Sequence, residues 1–338
     1  MGGIDEVARL AGVSTATVSR ALSGNGAVSP ATRMRVVDVA HSLGYVVSSN
    51  ASSLASGRTK NVGAVVPFLN RWFFSSVIEG AERALLRAGY DLTLYNLAGG
   101  GDERRSVFEH FLLRKRVDAV IAISLELTED EVSRLLALGK PVVGVGGPLA
   151  GVPTLMIDDV RVARLATEHL LALGHTRIGH IGGNEASDLD FHMPASRRTG
   201  YDEAMRAAGL APESMPFHAG DFTIQGGYRA AAQLLGEQSS RPTAVFAASD
   251  EMAIGTILAA RDLGLSVPHD VSVIGIDGHE LAEFFGLTTV EQFPEQQGER
   301  AVELLMQRLA TDAVEQPSTS ESLPFSLAVR ASTAPPVG

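Results

Sequence analysis

Thr15, Ala16, Thr17, Ser19 and Arg20 are small or hydrogen-bonding residues packed into six positions of a segment with no carboxylate. That set can approach a polyanion closely and read donor and acceptor groups on base edges, where bulk would clash and acidic groups would repel phosphate. The solvated face of an ordinary small helix carries Glu and Lys, and this one carries neither. A second set is spread along the chain: Ser124, Arg197, Asp250 and Asp277 fall at the ends of apolar, strand-like runs. Arginine and aspartate at such ends offer bidentate partners for vicinal hydroxyls of a small molecule. Capping of the following helix is the other reading for Asp250 and Asp277, and an inter-lobe salt bridge for Arg197.

The elements that must position the first set are three short helices over residues 4–44. Ile4, Val7, Ala8, Leu10 and Ala11 recur at helical spacing and Gly12 stops the run. Ser14 caps a helix from Thr15 to Leu22 that buries Val18 and Leu22, and Ser23-Gly24-Asn25-Gly26 ends it. Ser29-Pro30, an N-cap followed by proline at the first helical position, starts a third helix. Its apolar face is Val36, Val37, Val39, Ala40 and Leu43, closed by Gly44. Two helices joined by a short glycine-containing turn form a helix-turn-helix.

Charge supports this division. The chain carries 28 Lys and Arg against 39 Asp and Glu, a net −11. Residues 1–60 hold six basic and three acidic groups, a balance of +3, so the remainder carries −14. A basic head on an acidic body implies that the head meets a polyanion and the body does not. The absence of cysteine excludes a disulfide framework, a thiolate nucleophile and a thiolate zinc site. The first residues lack a basic region followed by an apolar one, and no apolar run approaches the ~20 residues of a membrane helix, so a cytoplasmic, nucleoid-associated protein is expected.

The stretch from Val46 to Lys60 is Ser-rich, with Leu54 its prominent apolar residue. Two readings stay open: a flexible linker, or a short helix capped by Ser48 or Ser49 whose Leu54 wedges between base steps in a minor groove.

The run from Asp5-Glu6-Val7-Ala8-Arg9-Leu10-Ala11-Gly12-Val13-Ser14 to Thr15-Ala16-Thr17-Val18-Ser19-Arg20-Ala21-Leu22 resembles the N-terminal signature of the lactose-repressor/galactose-repressor family of bacterial transcription regulators. Val28-Ser29-Pro30 with Thr32-Arg33, then Leu43-Gly44-Tyr45, continue the pattern in register. The resemblance implies base-edge contacts for Thr15, Ala16 and Arg20. It implies phosphate contacts for Ser14, Ser19, Asn25, Ser29 and Thr32, and a minor-groove role for Leu54 with Ala51 on the same hinge helix. Two positions depart from it. Tyr45-Val46-Val47-Ser48 stands where the family has Tyr-x-Pro-Asn, and Gly3 where a threonine is common.

From Val62 the texture alternates between strand and helix. Strands are expected at 62–66, 90–95, 119–123 and 142–145, with helices at 75–88, 102–113 and 129–138. The pattern restarts after Pro153, with strands at 156–157, 178–181, 244–247 and 271–276 and helices at 160–173, 196–208 and 251–263. Two tandem α/β halves with parallel sheets imply two lobes around a cleft, with ligands at the carboxyl ends of the strands. The segments Asp158-Asp159, His169 to His175, Arg197 to Tyr201, Ser249 to Gly255, Val271 to Asp277 and Leu287 to Val290 resemble the same family's body. That implies a periplasmic-binding-protein fold with three crossings between lobes. It also implies that Arg197, Asp250 and Asp277 hold a small effector such as a sugar.

The expected organisation is a helix-turn-helix domain at 1–46 and a hinge at 47–60. The first lobe takes 61–154 and 288–318, the second 155–287 and 319–330, and a flexible tail fills 331–338. Asn70-Arg71-Trp72-Phe73-Phe74 follows the first body strand, and Trp72 is the only tryptophan. An indole there can stack on a sugar's apolar face; the alternative is packing between lobes. Phe73 is a second candidate for the cleft wall.

Enzymatic readings find no support. No Gly-x-x-x-x-Gly-Lys or Gly-x-Ser-x-Gly motif is present, and Gly144-Val145-Gly146-Gly147-Pro148 breaks a dinucleotide fingerprint. His169, His175 and His180 span a helix, a turn and a strand, so their spacing does not gather three imidazoles, and neither metal nor cofactor is expected. The expected partners are a palindromic double-stranded DNA operator, a small effector and a second copy of the chain, since helix-turn-helix proteins bind two-fold sites as dimers. A transcription regulator, a repressor responsive to carbohydrate, is the function expected.

Overall fold

The computed structural model describes residues 3–23, 28–45, 57–97, 102–112, 116–183, 193–311 and 320–337. The expectations placed on Asn25, Ala51 and Leu54 lie outside these residues. The chain divides into a small helical unit and a large α/β body.

In the head, α1 (Ile4–Ala11), α2 (Thr15–Ser23) and α3 (Pro30–Ser42) surround a core of Val7, Ala8, Ala11, Val18, Ala21, Val36 and Ala40. The core side chains are small, so the helices approach closely. Gly12 takes the left-handed conformation (φ 66) that ends α1, and Val13 donates back to the Ala8 carbonyl at 3.0 Å. Arg33 reaches the Ala21 carbonyl at 3.2 Å and ties α3 to the end of α2. Two expected core residues are not buried: Leu10 is 49% and Val37 46% exposed. Helical spacing alone gave them the same phase as their neighbours, and the narrow stripe a three-helix core can cover leaves them out.

The body holds two six-stranded sheets. The first has the order β11-β5-β4-β3-β1-β2, built from β1 (Asn61–Val66), β2 (Asp91–Asn96), β3 (Ala119–Ile123), β4 (Val142–Val145), β5 (Thr154–Met156) and β11 (Ser320–Ser322). The second has the order β12-β10-β9-β8-β6-β7, from β6 (Ile178–Gly182), β7 (Phe217–Ala219), β8 (Ala244–Ala247), β9 (Ser272–Asp277), β10 (Thr288–Glu291) and β12 (Ser326–Ala328). Central strands pair in parallel, as Val62 with Ala119 and Ile178 with Ala244, while β10 pairs with β12 in the antiparallel sense. β3, β4, β6, β8 and β9 are buried along their length, as strands covered by helices on both faces must be.

The chain crosses between lobes after β5, after β10 and after β11. The expected boundaries are displaced by these strands. Residues 154–156 and 320–322 belong to the first sheet, and 288–291 to the second. The strands on either side of a crossing are equally apolar, so composition carries no mark of where the chain changes sheet. Helix Pro294–Thr311 returns to the first lobe and packs on helix Trp72–Arg87. A Cβ on Gly80 would sit 2.0 Å from the Glu295 carbonyl oxygen, and one on Gly298 2.0 Å from that of Val77. Two glycines therefore permit the helix–helix approach that anchors the crossing.

Residues 331–337 are not a loose tail. Ser332 is buried, donates to the Val273 carbonyl at 2.6 Å and accepts the Thr288 N–H at 2.8 Å. His175 contacts the Ala334 carbonyl through Nε2 at 2.8 Å. Among the described residues, no helix is long and apolar enough to cross a membrane.

Candidate functional site

The first site is the outer face of α2. Thr15, Ala16, Ser19 and Arg20 are exposed, Thr17 is half-buried, and no acidic residue occurs in the helix. Ser14 is partly spent on structure: its Oγ accepts the Thr17 N–H at 3.2 Å and lies 2.9 Å from the Thr17 hydroxyl. Ser29 repeats the arrangement at the start of α3 with Thr32. Each cap leaves a hydroxyl pair at a helix N-terminus, where orphan N–H groups and the helix dipole favour an anion. The Arg20 guanidinium lies along its own helix, with Nε 3.1 Å from the Ala16 carbonyl. The geometry thus presents one cation, flat against a face of small residues.

The second site is a cleft in the body enclosing about 720 Å³, counting space open to solvent. Arg197 is its centre. The guanidinium is buried, and Nε donates to Asp159 Oδ1 at 2.8 Å. One terminal nitrogen donates to the Ala248 carbonyl and stands 3.8 Å from Asp277 Oδ1. Helix Met193–Ala207 supplies Arg197, the start of helix Asp159–Ala172 supplies Asp159, and the end of β9 supplies Asp277.

Asp277 (φ 134) and Ser124 (φ 43) both lie at positive φ, a conformation disfavoured for residues with a Cβ. Such strain at the ends of two facing strands turns both side chains into the cleft. Gln292 holds Asp277 by donating to Oδ1 at 2.8 Å. Burial pushes the Asp277 carboxyl well above the usual range, against the pull of Arg197, and the neighbouring Asp250 and Glu251 charges add to the rise. Burial also raises Asp159, again opposed by Arg197, and raises Glu251.

Of the expected cleft residues, Phe73, Ser124, Arg197 and Asp277 line it, and Trp72 and Asp250 do not. Trp72 is the first residue of helix Trp72–Arg87, which begins three residues before the expected start at 75, and its indole stacks on His279 at 4.6 Å. Asp250 is fully buried and accepts the Gly278 and His279 N–H groups at 2.9 and 2.8 Å. Burial raises it to about 6, against these donors and the Thr289 hydroxyl. It shapes the loop after β9 rather than facing a ligand.

Sequence reasoning missed Asp159, Glu251 and Phe222, which line the cleft. Glu251 follows the expected Asp250, so one step of helix rotation separates the expected residue from the actual one, and Asp159 lay in the quoted pair Asp158-Asp159 without being singled out. Nothing in the local sequence marks Phe222, whose φ of 52 brings its ring over Gly183.

The three histidines each have their own partners. His169 meets the Thr333 hydroxyl, His175 bridges Thr243 and Ala334, and His180 stacks between Tyr201 and Phe246. Among the described residues, no group of three metal-binding side chains is found.

Comparison with known proteins gives concordant matches along the chain. Residues 3–48 match the model of bacterial regulatory proteins of the lacI family, and residues 167–333 that of a periplasmic binding protein-like domain. The HTH-type transcriptional repressor PurR of Vibrio atlanticus (strain LGP32) is 34% identical over 314 residues, covering 91% of this chain and 92% of that protein. The ribose operon repressor of Escherichia coli (strain K12) is 35% identical over 321 residues, covering 94% and 96%. The lac repressor dimer bound to operator and the anti-inducer ONPF superposes with a TM-score of 0.84 at 26% identity, covering 98% and 99% of the two chains. The transcriptional regulator CelR in complex with cellobiose superposes at 0.71 with 33% identity, covering 98% and 100%.

Proposed function

The chain belongs to the lacI family of bacterial regulatory proteins, and on that premise we propose a homodimeric repressor that binds a palindromic operator and responds to a compact, neutral, polyhydroxylated effector. It is a DNA-binding transcription regulator with an effector-binding body. The face of Thr15, Ala16, Thr17, Ser19 and Arg20 reads base edges, while Ser14, Ser29 and Thr32 meet phosphates. It acts by binding, without turnover, at DNA in the cytoplasm.

One observation carries the effector class: the Arg197 guanidinium is already paired with Asp159 and the Ala248 carbonyl and lies beside Asp277. A phosphorylated or carboxylated ligand would meet a neutralised cation and the Asp159, Glu251 and Asp277 carboxyls. Hydroxyl groups suit that setting, because each can donate to a carboxylate and accept from a guanidinium. Phe73 offers an apolar surface for the ring face.

The effector changes operator affinity by preferring one arrangement of the lobes, with an expected coupling of ~1–3 kcal/mol. Release from DNA is the proposed direction. A thermal-shift screen of neutral and phosphorylated sugars tests the reading, since a ligand at 100 times its Kd adds ~2.7 kcal/mol of stability. Stabilisation by phosphorylated sugars alone would refute it. Selection from random duplexes tests the operator: enrichment of a palindrome whose binding weakens steeply with salt is expected.

A further inference from the structure

We infer that Arg71 and Trp72 form a latch across the mouth of the cleft and thereby limit the length of effector that the cleft accepts; the size limit rests on the polyol reading above, the latch does not. Both residues sit at the start of helix Trp72–Arg87, in the first lobe. Apart from Phe68, on which the Arg71 guanidinium rests, the groups they grip belong to the second lobe.

The Arg71 guanidinium lies over the Phe68 ring, 4.5 Å from its centroid. From there one terminal nitrogen donates to two successive carbonyls, Asp221 at 2.5 Å and Phe222 at 2.8 Å. Asp221 and Phe222 have φ of 51 and 52, so two consecutive non-glycine residues hold the left-handed conformation. Isolated left-handed residues are uncommon, and a consecutive pair needs a compensating interaction. The convergence of both carbonyls on one cation supplies it.

Trp72 adds two ties. Its main-chain N–H bonds to the Glu251 carboxylate, and its indole stacks on His279 at 25° between ring planes. His279 is a fixed platform, buried, with Nδ1 accepting the Leu281 N–H at 3.0 Å. Two consecutive residues of one lobe thus hold two loops and the start of helix Asp250–Asp262 of the other.

Arg71, Phe222 and Glu251 are also part of the cleft wall. The ties are therefore a boundary of the binding space as well as a clasp. A compact ring fits inside that boundary. A ligand with a second ring projecting toward Phe222 would have to displace the guanidinium from both carbonyls.

The only tryptophan in the chain is Trp72, so its fluorescence reports the latch directly. The test compares the full-length protein with Arg71→Met, which keeps an aliphatic stem over Phe68 and removes the donors. Arg71→Gln serves as a second variant if the first does not fold. Acrylamide quenching of Trp72 is measured on each, with thermal shifts against panels of neutral monosaccharides including D-ribose and disaccharides including cellobiose. A rise of at least twofold in the quenching constant of the variant is expected, together with stabilisation by monosaccharides but not disaccharides in the parent and stabilisation by disaccharides in the variant. Unchanged quenching overturns the latch. Increased quenching with the same sugar selectivity as the parent, or a parent that accepts disaccharides as well as monosaccharides, overturns the size limit. Increased quenching with no response to any sugar upholds the clasp and overturns both the size limit and the polyol reading.

Discussion

Arg197 and Asp159 are joined inside the second lobe, Nε to Oδ1 at 2.8 Å, with the two side chains 5% and 16% exposed. The same guanidinium also stands 3.8 Å from a second carboxyl, the buried Asp277. A buried pair of this kind is costly to break, because the surviving charge stays desolvated.

Arg197→Met is therefore expected to destabilise the protein by about 3–5 kcal/mol at neutral pH and to abolish effector binding. Asp159 and Asp277 are both raised by burial, and loss of the guanidinium raises them further. Their neutral forms then favour the folded state at low pH, so the deficit of the variant shrinks as pH falls. Denaturant melts across the acid range read this directly, and a pH-independent deficit would show that the pair is not the cause.

Arg20→Ala is expected to weaken operator binding by about 1–3 kcal/mol and to relax preference at one base position. Competition binding against single-position operator variants distinguishes the roles. A uniform loss across all sequences would place Arg20 on phosphate instead.

His180 predicts a pH effect of known sign. Burial between Tyr201 and Phe246 depresses its pKa to about 3. Nδ1 meets the Phe246 carbonyl at 3.1 Å, and Nε2 has no partner among the described residues. A base whose folded pKa lies below its unfolded value of 6.5 contributes stability above that value and loses it as pH falls toward 3. His180→Phe keeps the stack and forfeits one hydrogen bond, a cost of about 1 kcal/mol near pH 7.5. Near pH 4.5 the order is expected to reverse, since the parent has by then lost roughly 2–3 kcal/mol. Parallel stability curves for the two proteins would contradict this account.

Ser332→Ala tests the docked C-terminal segment. The hydroxyl serves the Val273 carbonyl and the Thr288 N–H at once, so its removal leaves a buried donor unpaired at a cost of about 1–3 kcal/mol. The loss appears in thermal melts, and amide exchange at Thr288 is expected to accelerate. No change in either would mean that the segment does not brace β9 and β10.

Much of this molecule is written locally. The three head helices, their Ser14 and Ser29 caps, the Gly12 stop and the acid-free face of α2 each follow from a few adjacent residues. The alternation of strands and helices in the body and the strand-end positions of Ser124 and Asp277 follow likewise, whereas Arg197, expected at a strand end, lies within helix Met193–Ala207. Those interactions span at most a turn or two of chain.

The cleft was legible only in part, because a strand-end position says that a residue is near the opening and not which way it points. Asp250 turns inward to take the Gly278 and His279 amides, and Glu251 lines the cleft in its place. Trp72 lies on His279, and Arg71 reaches the opposite lobe.

The primary structure by itself determined a basic recognition helix, an acidic two-lobed α/β body and the family to which they belong, since periodicity, caps and signature residues act over short stretches. The tertiary structure alone decided where the chain changes sheet, which neighbour of each signal residue faces the ligand space, and that the last residues are docked. Each of those outcomes depends on contacts between segments distant in sequence, from 28 residues apart for Asp250 with Gly278 to 151 for Arg71 with Phe222, whose partners nothing in the local sequence names.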